Sequence, residues 1–290
     1  MTFQEETMFE RISRSWELVK ASYAVLHADK ELVVFPIIST IGTILVMIVF
    51  AVPMLLAGSF DRAIDNGHIG IFEYTVAFLF YVVMYTVVIF SNSALVGAAM
   101  IRLRGGDPTV RDGIQIALDH IGQIVGYAVI SATVGVVLRA LRERGGLAGQ
   151  IVAWLGNIAW NLATYLVVPI LVVEGIGPID AIKRSASLLK RTWGEQIVGN
   201  FSIGLIFGLI TLAAVIVVGV PLIALAAATG SVAVIVLAVA IVVVVVMGIS
   251  LLGSTLNGIY VAALYRYAVE GEVADQYFTP ELVQGAFRHK

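Results

Sequence analysis

The sequence predicts an all-α membrane protein with six transmembrane helices. Three observations carry that reading: apolar stretches long enough to cross a bilayer, a shortage of charge, and basic residues gathered on alternate loops. Of the 290 residues, 59% are hydrophobic and only 13% are charged, about half the charge of a soluble domain. The mean hydropathy of +0.96 implies more apolar surface than a single water-soluble core can bury. A net charge of −2 gives a nucleic acid nothing to bind. Cysteine is absent, so no disulfide framework, thiolate nucleophile or thiolate metal site exists, which fits a cytoplasmic membrane in a bacterium or archaeon.

The first 31 residues mix polar and apolar side chains, carry Glu5, Glu6 and Glu10, and hold no short apolar stretch ahead of a cleavage site. The first span is therefore expected to serve as the insertion signal. A crossing helix needs about 20 apolar residues. Six runs qualify: residues 33–57, 72–100, 121–138, 150–173, 197–228 and 232–268. The third is short. The last two exceed a perpendicular crossing and are expected to tilt, protrude or bend, with Pro221, Gly248, Gly253 and Gly258 as the places to bend. Between them, Thr229-Gly230-Ser231 is short enough to force an antiparallel pair.

Basic residues set the orientation. A cytoplasmic N-terminus places 14 of the 18 lysines and arginines inside and leaves 4 outside. The expected protein is therefore multi-pass in the cytoplasmic membrane, with both termini cytoplasmic. The outer four are Arg62 and the trio Arg139, Arg142 and Arg144, and that trio is the one dissent from the rule.

The chain also repeats itself. Residues 12–20 (Ile-Ser-Arg-Ser-Trp-Glu-Leu-Val-Lys) match residues 182–190 (Ile-Lys-Arg-Ser-Ala-Ser-Leu-Leu-Lys) at a constant offset. In both, apolar side chains recur at steps of three and four, which puts them on one helical face. A degenerate middle copy spans 112–123. The ends of the even spans correspond too: Ala98-Ala99-Met100-Ile101-Arg102 with Ala262-Ala263-Leu264-Tyr265-Arg266, and Val173-Glu174-Gly175 with Val269-Glu270-Gly271. The expectation is one transmembrane domain over residues 1–290, built of three hairpins, each preceded by an amphipathic interfacial helix on the cytoplasmic side. The units cover about residues 7–104, 109–175 and 178–271, with 272–290 as a cytoplasmic tail.

The opening Phe9-x-Arg11-Ile12-x-x-Ser15-Trp16-x-Leu18-x-Lys20-x-Ser22, followed by Asp29-Lys30-Glu31-Leu32 and Phe35-Pro36, resembles an uncharacterised family of bacterial and archaeal integral membrane proteins. Its architecture is similar to the membrane domain of some glycerophosphodiester phosphodiesterases. The resemblance implies a multi-span protein and no activity, because the soluble catalytic domain of those enzymes has no counterpart in these residues.

Four sets of residues bear on function. Lys183, Arg184, Lys190 and Arg191 lie within nine residues, with Glu195 just beyond them. They suit an anionic lipid head group, each contributing about 1 kcal/mol near an anionic leaflet; ordinary anchoring also predicts such a cluster. His27 and Asp29 close the first amphipathic helix and Asp119 and His120 the second. Imidazole with carboxylate suits a metal or general acid–base work, but the spacing fits no established signature, and head-group contacts or capping use the same residues.

Asn92, Asn200 and Asn257 are intramembrane amides, as are Asn157 and Asn161 one turn apart on the fourth span. Such groups link helices at about 0.6–2 kcal/mol each or line a polar cavity. Small residues (Ser250, Ser254, Gly258 and Ala262, with the pairs Gly204/Gly208 and Gly122/Gly126) mark expected close helix packing. No span has an ionisable residue near its centre, which weighs against an ion-coupled carrier.

The reading these residues favour is a non-enzymatic membrane protein, without catalytic residues or cofactor, that binds lipid or scaffolds a protein partner or a second copy of itself. A transporter or channel for a small neutral or amphipathic solute is the first alternative. A membrane-embedded lipid-modifying enzyme is the second.

Overall fold

The computed structural model describes residues 8–56, 71–193, 202–271 and 276–279. Those residues form helices and no strand. In chain order the helices are α1 (Met8–Ala28), α2 (Val34–Leu56), α3 (Ile71–Leu103), α4 (Val110–Asp119), α5 (Ile121–Arg144) and α6 (Gly146–Ala163). There follow α7 (Val167–Val173), α8 (Pro178–Trp193), α9 (Ser202–Ala214), α10 (Val220–Ala228) and α11 (Val232–Glu270). A 3-10 turn (Lys30–Val33) leads into α2, and a π turn (Val215–Gly219) joins α9 to α10. Six stretches are long and apolar enough to span a membrane: Lys30–Leu55, Tyr74–Leu103, Ile121–Arg144, Gly146–Val173, Ile206–Ala228 and Val232–Glu270.

Several boundaries differ from the sequence reading, each for a local reason. The third span runs on to Arg144 because Arg139 and Glu143, one turn apart, pair at 2.7 Å and support the last helical turns. The fourth starts at Gly146 and breaks between α6 and α7. Pro169 causes the break, since its ring competes for the space of the Tyr165 carbonyl four residues earlier. Thr164 bridges the gap, its hydroxyl donating to the Trp160 carbonyl at 2.7 Å. In the fifth, Pro221 follows a widened turn, in which the Val220 amide reaches the Val215 carbonyl.

The sixth span is not interrupted at its glycines. It remains one helix of 39 residues, about 58 Å long against a hydrocarbon core of about 30 Å. Its glycines instead admit neighbours: a Cβ at Gly258 would lie 2.4 Å from Leu95, and one at Gly253 would lie 2.8 Å from Phe207. Of the expected Gly-x-x-x-Gly pairs, Gly126 meets Pro178, while a Cβ at Gly122, Gly204 or Gly208 would meet nothing within 4 Å among the described residues.

Burial is lopsided along the bundle. The C-terminal ends of α3, α7 and α11 meet, as the Tyr265 hydroxyl donates to Glu174 at 3.1 Å and Arg266 donates to the Leu103 carbonyl. Around that junction lies the core: Leu95–Leu103 with Leu166–Val172 and Leu256–Tyr265, closed by Leu18, Val25 and Phe35. At the opposite end large apolar side chains stand exposed, among them Val49, Leu55, Val217, Leu225, Leu237 and Val244 at 62–70% of their full surface. A continuous apolar surface of that extent is untenable in water and is the ordinary exterior of a helix bundle in hydrocarbon. The chain is accordingly a multi-pass membrane protein.

Candidate functional site

At the packed end, charges from distant parts of the sequence interlock. The carboxylate of Asp29, 5% exposed, receives Arg102 at 3.4 Å, and the same guanidinium also holds Asp107. Glu270 accepts from both Arg104 and Arg266. Glu174 accepts from Arg184 at 3.3 Å and from the Tyr265 hydroxyl. Burial pushes the Asp29 carboxyl above its usual range, and Arg102 offsets part of that rise. α4 enters this end through a capping box: Thr109 Oγ1 accepts from the Asp112 amide, while the Asp112 carboxylate accepts from the Thr109 amide at 2.8 Å. Hydrogen bonds to Thr109 hold the Asp112 carboxyl below its usual range.

These partnerships decide what the basic helix α8 has to offer. Ala181, Ser185, Leu188 and Leu189 are its buried side. Ser185 is fully buried, and its hydroxyl accepts the Leu166 amide at 3.1 Å. That amide is one of those left without a helical partner by the break before α7. Arg184 is held by Glu174. Lys183 is exposed and 3.5 Å from Asp180, one turn back. Lys190 is exposed, with no ion pair among the described residues. Of the four basic side chains expected to face a head group, Lys183 and Lys190 share an exposed face, Arg184 serves the fold, and the side chain of Arg191 lies outside the described residues.

The acid and imidazole residues do not converge. His27 is exposed, with its ring beside Tyr23, whereas Asp29 turns inward to Arg102. Asp119 accepts from Gln115 at 2.7 Å. His120 Nδ1 lies 2.8 Å from the Ile116 carbonyl. Among the described residues no three metal-ligating side chains are grouped to hold an ion. Asp119 and His120 do share a cavity of about 430 Å³ with Arg104, but His27 and Asp29 are not part of it.

Asn92 and Asn257 line two clefts that share part of α11. Asn92 lines one of about 410 Å³ together with Ser39, Thr40 and Thr43 of α2. Asn257 lines the other, about 450 Å³, with Thr211 of α9. Ser250 and Ser254 border both, so the upper half of the small-residue stripe lines clefts while Gly258 and Ala262 are buried. Asn200 lies outside the described residues.

Sequence reasoning missed the ion-pair partners and Ser185. The matched arginines Arg102 and Arg266 were the available signal for the first, and Pro169, which frees an amide needing an acceptor, was the signal for the second.

Comparison with family models matches residues 71–275 to a family of unknown function (DUF6159). The match leaves out the opening segment with its Phe9–Pro36 pattern. Neither the curated proteins nor the solved structures contain a match. The chain belongs to this family of unknown function.

Proposed function

We propose that this family member is a non-enzymatic, lipid-binding protein of the cytoplasmic membrane, with α8 as its head-group contact. In this reading both termini, α1, α4 and α8 are cytoplasmic, and the chain is three units of one amphipathic helix and one transmembrane hairpin. The left-handed glycines Gly105, Gly175 and Gly271, which end α3, α7 and α11 alike, support the threefold scheme. The architectural likeness to glycerophosphodiester phosphodiesterase membrane domains suits a lipid-facing role and supplies no chemistry.

One observation carries the proposal. Lys183 and Lys190, two helical turns apart, stand exposed on a helix whose other side is fixed in the core. A rigid basic face at an interface attracts anionic lipid at about 1 kcal/mol per cation. Removing both charges therefore weakens binding about 30-fold. The test is titration of the detergent-purified protein with short-chain phosphatidylglycerol, wild type against Lys183→Glu/Lys190→Glu, with phosphatidylcholine as reference. Unchanged phosphatidylglycerol affinity in the double variant rules the proposal out.

A second reading, passage of a small neutral or amphipathic solute, draws on the Asn92 and Asn257 clefts. It requires the two clefts to join beneath Ser250 and Ser254. Bulky replacements there (Ser250→Phe, Ser254→Phe) then abolish solute uptake by proteoliposomes while leaving lipid binding intact.

A further inference from the structure

Two of the three arginines that contradict the positive-inside rule, Arg139 and Arg142, line a cleft. Between α5 and α6, at the end of the bundle away from the ion-pair network, lies a cavity of about 680 Å³ lined by Leu138, Arg139, Arg142, Gln150, Trp154 and Asn157. The spacing explains it. Residues 135, 138, 139 and 142 form one face of α5, and residues 150, 153, 154 and 157 form the facing side of α6. Where two packed helices would normally interdigitate apolar side chains, these present two guanidiniums and two carboxamides toward a shared space.

The donors outweigh the acceptors. Glu143 is the only acid among residues 135–157, and it is engaged by Arg139 at 2.7 Å. Arg139 is further tied to the Tyr81 hydroxyl of α3 at 3.1 Å, so its guanidinium is held in place. Arg142 is exposed and forms no ion pair among the described residues. Guanidinium groups recognise phosphate through paired charge-assisted hydrogen bonds. Arg139 sits five residues from the end of α5, about 8 Å along the helix, which is head-group depth. Leu138, Leu147 and Ile151 continue the lining as an apolar wall, and Trp154, 63% exposed, is the amphipathic ring favoured at that level.

We infer that this cleft binds the phosphate of an anionic phospholipid, in the leaflet opposite the one α8 contacts. Arg142 and Arg139 hold the phosphate, Gln150 and Asn157 donate to the remaining oxygens or to the glycerol, and the acyl chain lies on the apolar wall. Arg139 and Arg142 are then retained on the disfavoured side of the membrane because they have a ligand there.

Trp154 reports occupancy directly. In detergent, short-chain phosphatidylglycerol produces a saturable change in tryptophan emission that is absent from Trp154→Phe. Arg142→Gln weakens this binding tenfold or more, and Asn157→Leu weakens it less. Neither residue has a structural partner among those described, so both variants keep the wild-type melting temperature. Lys183→Glu/Lys190→Glu leaves the Trp154 response unchanged, which separates this site from the α8 face. Equal affinity for phosphatidylcholine, unchanged affinity in Arg142→Gln, or no Trp154 response overturns the site. Saturation by glycerol 3-phosphate or inorganic phosphate at the same concentration as the lipid overturns the lipid assignment in favour of a soluble phosphate.

Discussion

Replacing Ser185 with alanine isolates a single interaction on which the junction between the fourth span and α8 depends. The Leu166 amide lacks a helical acceptor because Pro169 interrupts the span there, and among the described residues the hydroxyl that reaches it belongs to Ser185, at 3.1 Å with no exposed surface. Alanine keeps the packing of the helix and removes one oxygen, so the loss is that of an acceptor for a buried donor. A buried N–H left unpaired costs about 1–3 kcal/mol. Interhelical hydrogen bonds measured within membranes average near 0.6 and reach about 1.7 kcal/mol. Better alanine helix propensity returns a few tenths. The expected net loss is about 1–1.5 kcal/mol, roughly tenfold in the folding equilibrium. Ser187→Ala is the control, because that hydroxyl is exposed and donates only to the Arg184 carbonyl within its own helix. Reversible unfolding in mixed detergent micelles separates the two. The reasoning fails if Ser185→Ala unfolds with the wild type, or if Ser187→Ala loses as much.

Gly113→Ala tests close packing of α4: its Cβ would lie 2.4 Å from the Phe35 ring and 2.7 Å from the Ala94 carbonyl. Overpacking at about 1–3 kcal/mol exceeds the roughly 1 kcal/mol gained from helix propensity, so stability falls, whereas Gly204→Ala, in open space, gains up to about 1 kcal/mol; both are read as detergent melting shifts. Asp29→Asn tests the raised carboxyl. Because the folded state holds that proton more tightly than the unfolded chain, Asp29 contributes stability at low pH that is lost as pH rises through its folded value. Wild type therefore gains on Asp29→Asn as pH is lowered from about 7 toward about 4, and a stability difference constant with pH contradicts this. Thr109→Ala removes the capping box at α4 and lowers stability by about 1 kcal/mol, with Thr75→Ala, on an exposed helical turn, as the neutral comparison.

The spans were legible because hydrocarbon imposes a composition that no pairwise detail can mask: twenty apolar residues read as a crossing whatever they touch. Their ends were less legible. Arg139 and Arg142 read as loop, since charge is what usually ends a span, yet the i,i+4 pair with Glu143 keeps the helix going. Pro221 declared a disturbed helix, which the π turn before it bears out, while Pro169 passed unremarked inside an apolar run. The glycines of α11 looked like hinges, and their purpose became visible only with Leu95 and Phe207 beside them. Pattern exposed Arg102 and Arg266 as equivalents, but their partners, 73 residues away for Arg102 and Asp29 and 163 for Arg266 and the Leu103 carbonyl, are set by how the spans pack, which local periodicity does not encode. For the same reason Arg184 read as a free cation when Glu174 holds it, and Asp29 read as a companion of His27 when its carboxylate turns to Arg102.

The threading of six spans, on which every assignment of a face to a leaflet rests, can be measured cleanly because the chain has no cysteine of its own. Single replacements Gln115→Cys and Ser187→Cys on the short helices, and Leu147→Cys and Ser231→Cys at the opposite turns, are exposed to a membrane-impermeant maleimide in sealed vesicles of known orientation. Labelling of the first two from the cytoplasmic side only, and of the last two from the other side only, is the predicted outcome. Labelling of Ser187→Cys and Leu147→Cys from the same side contradicts it.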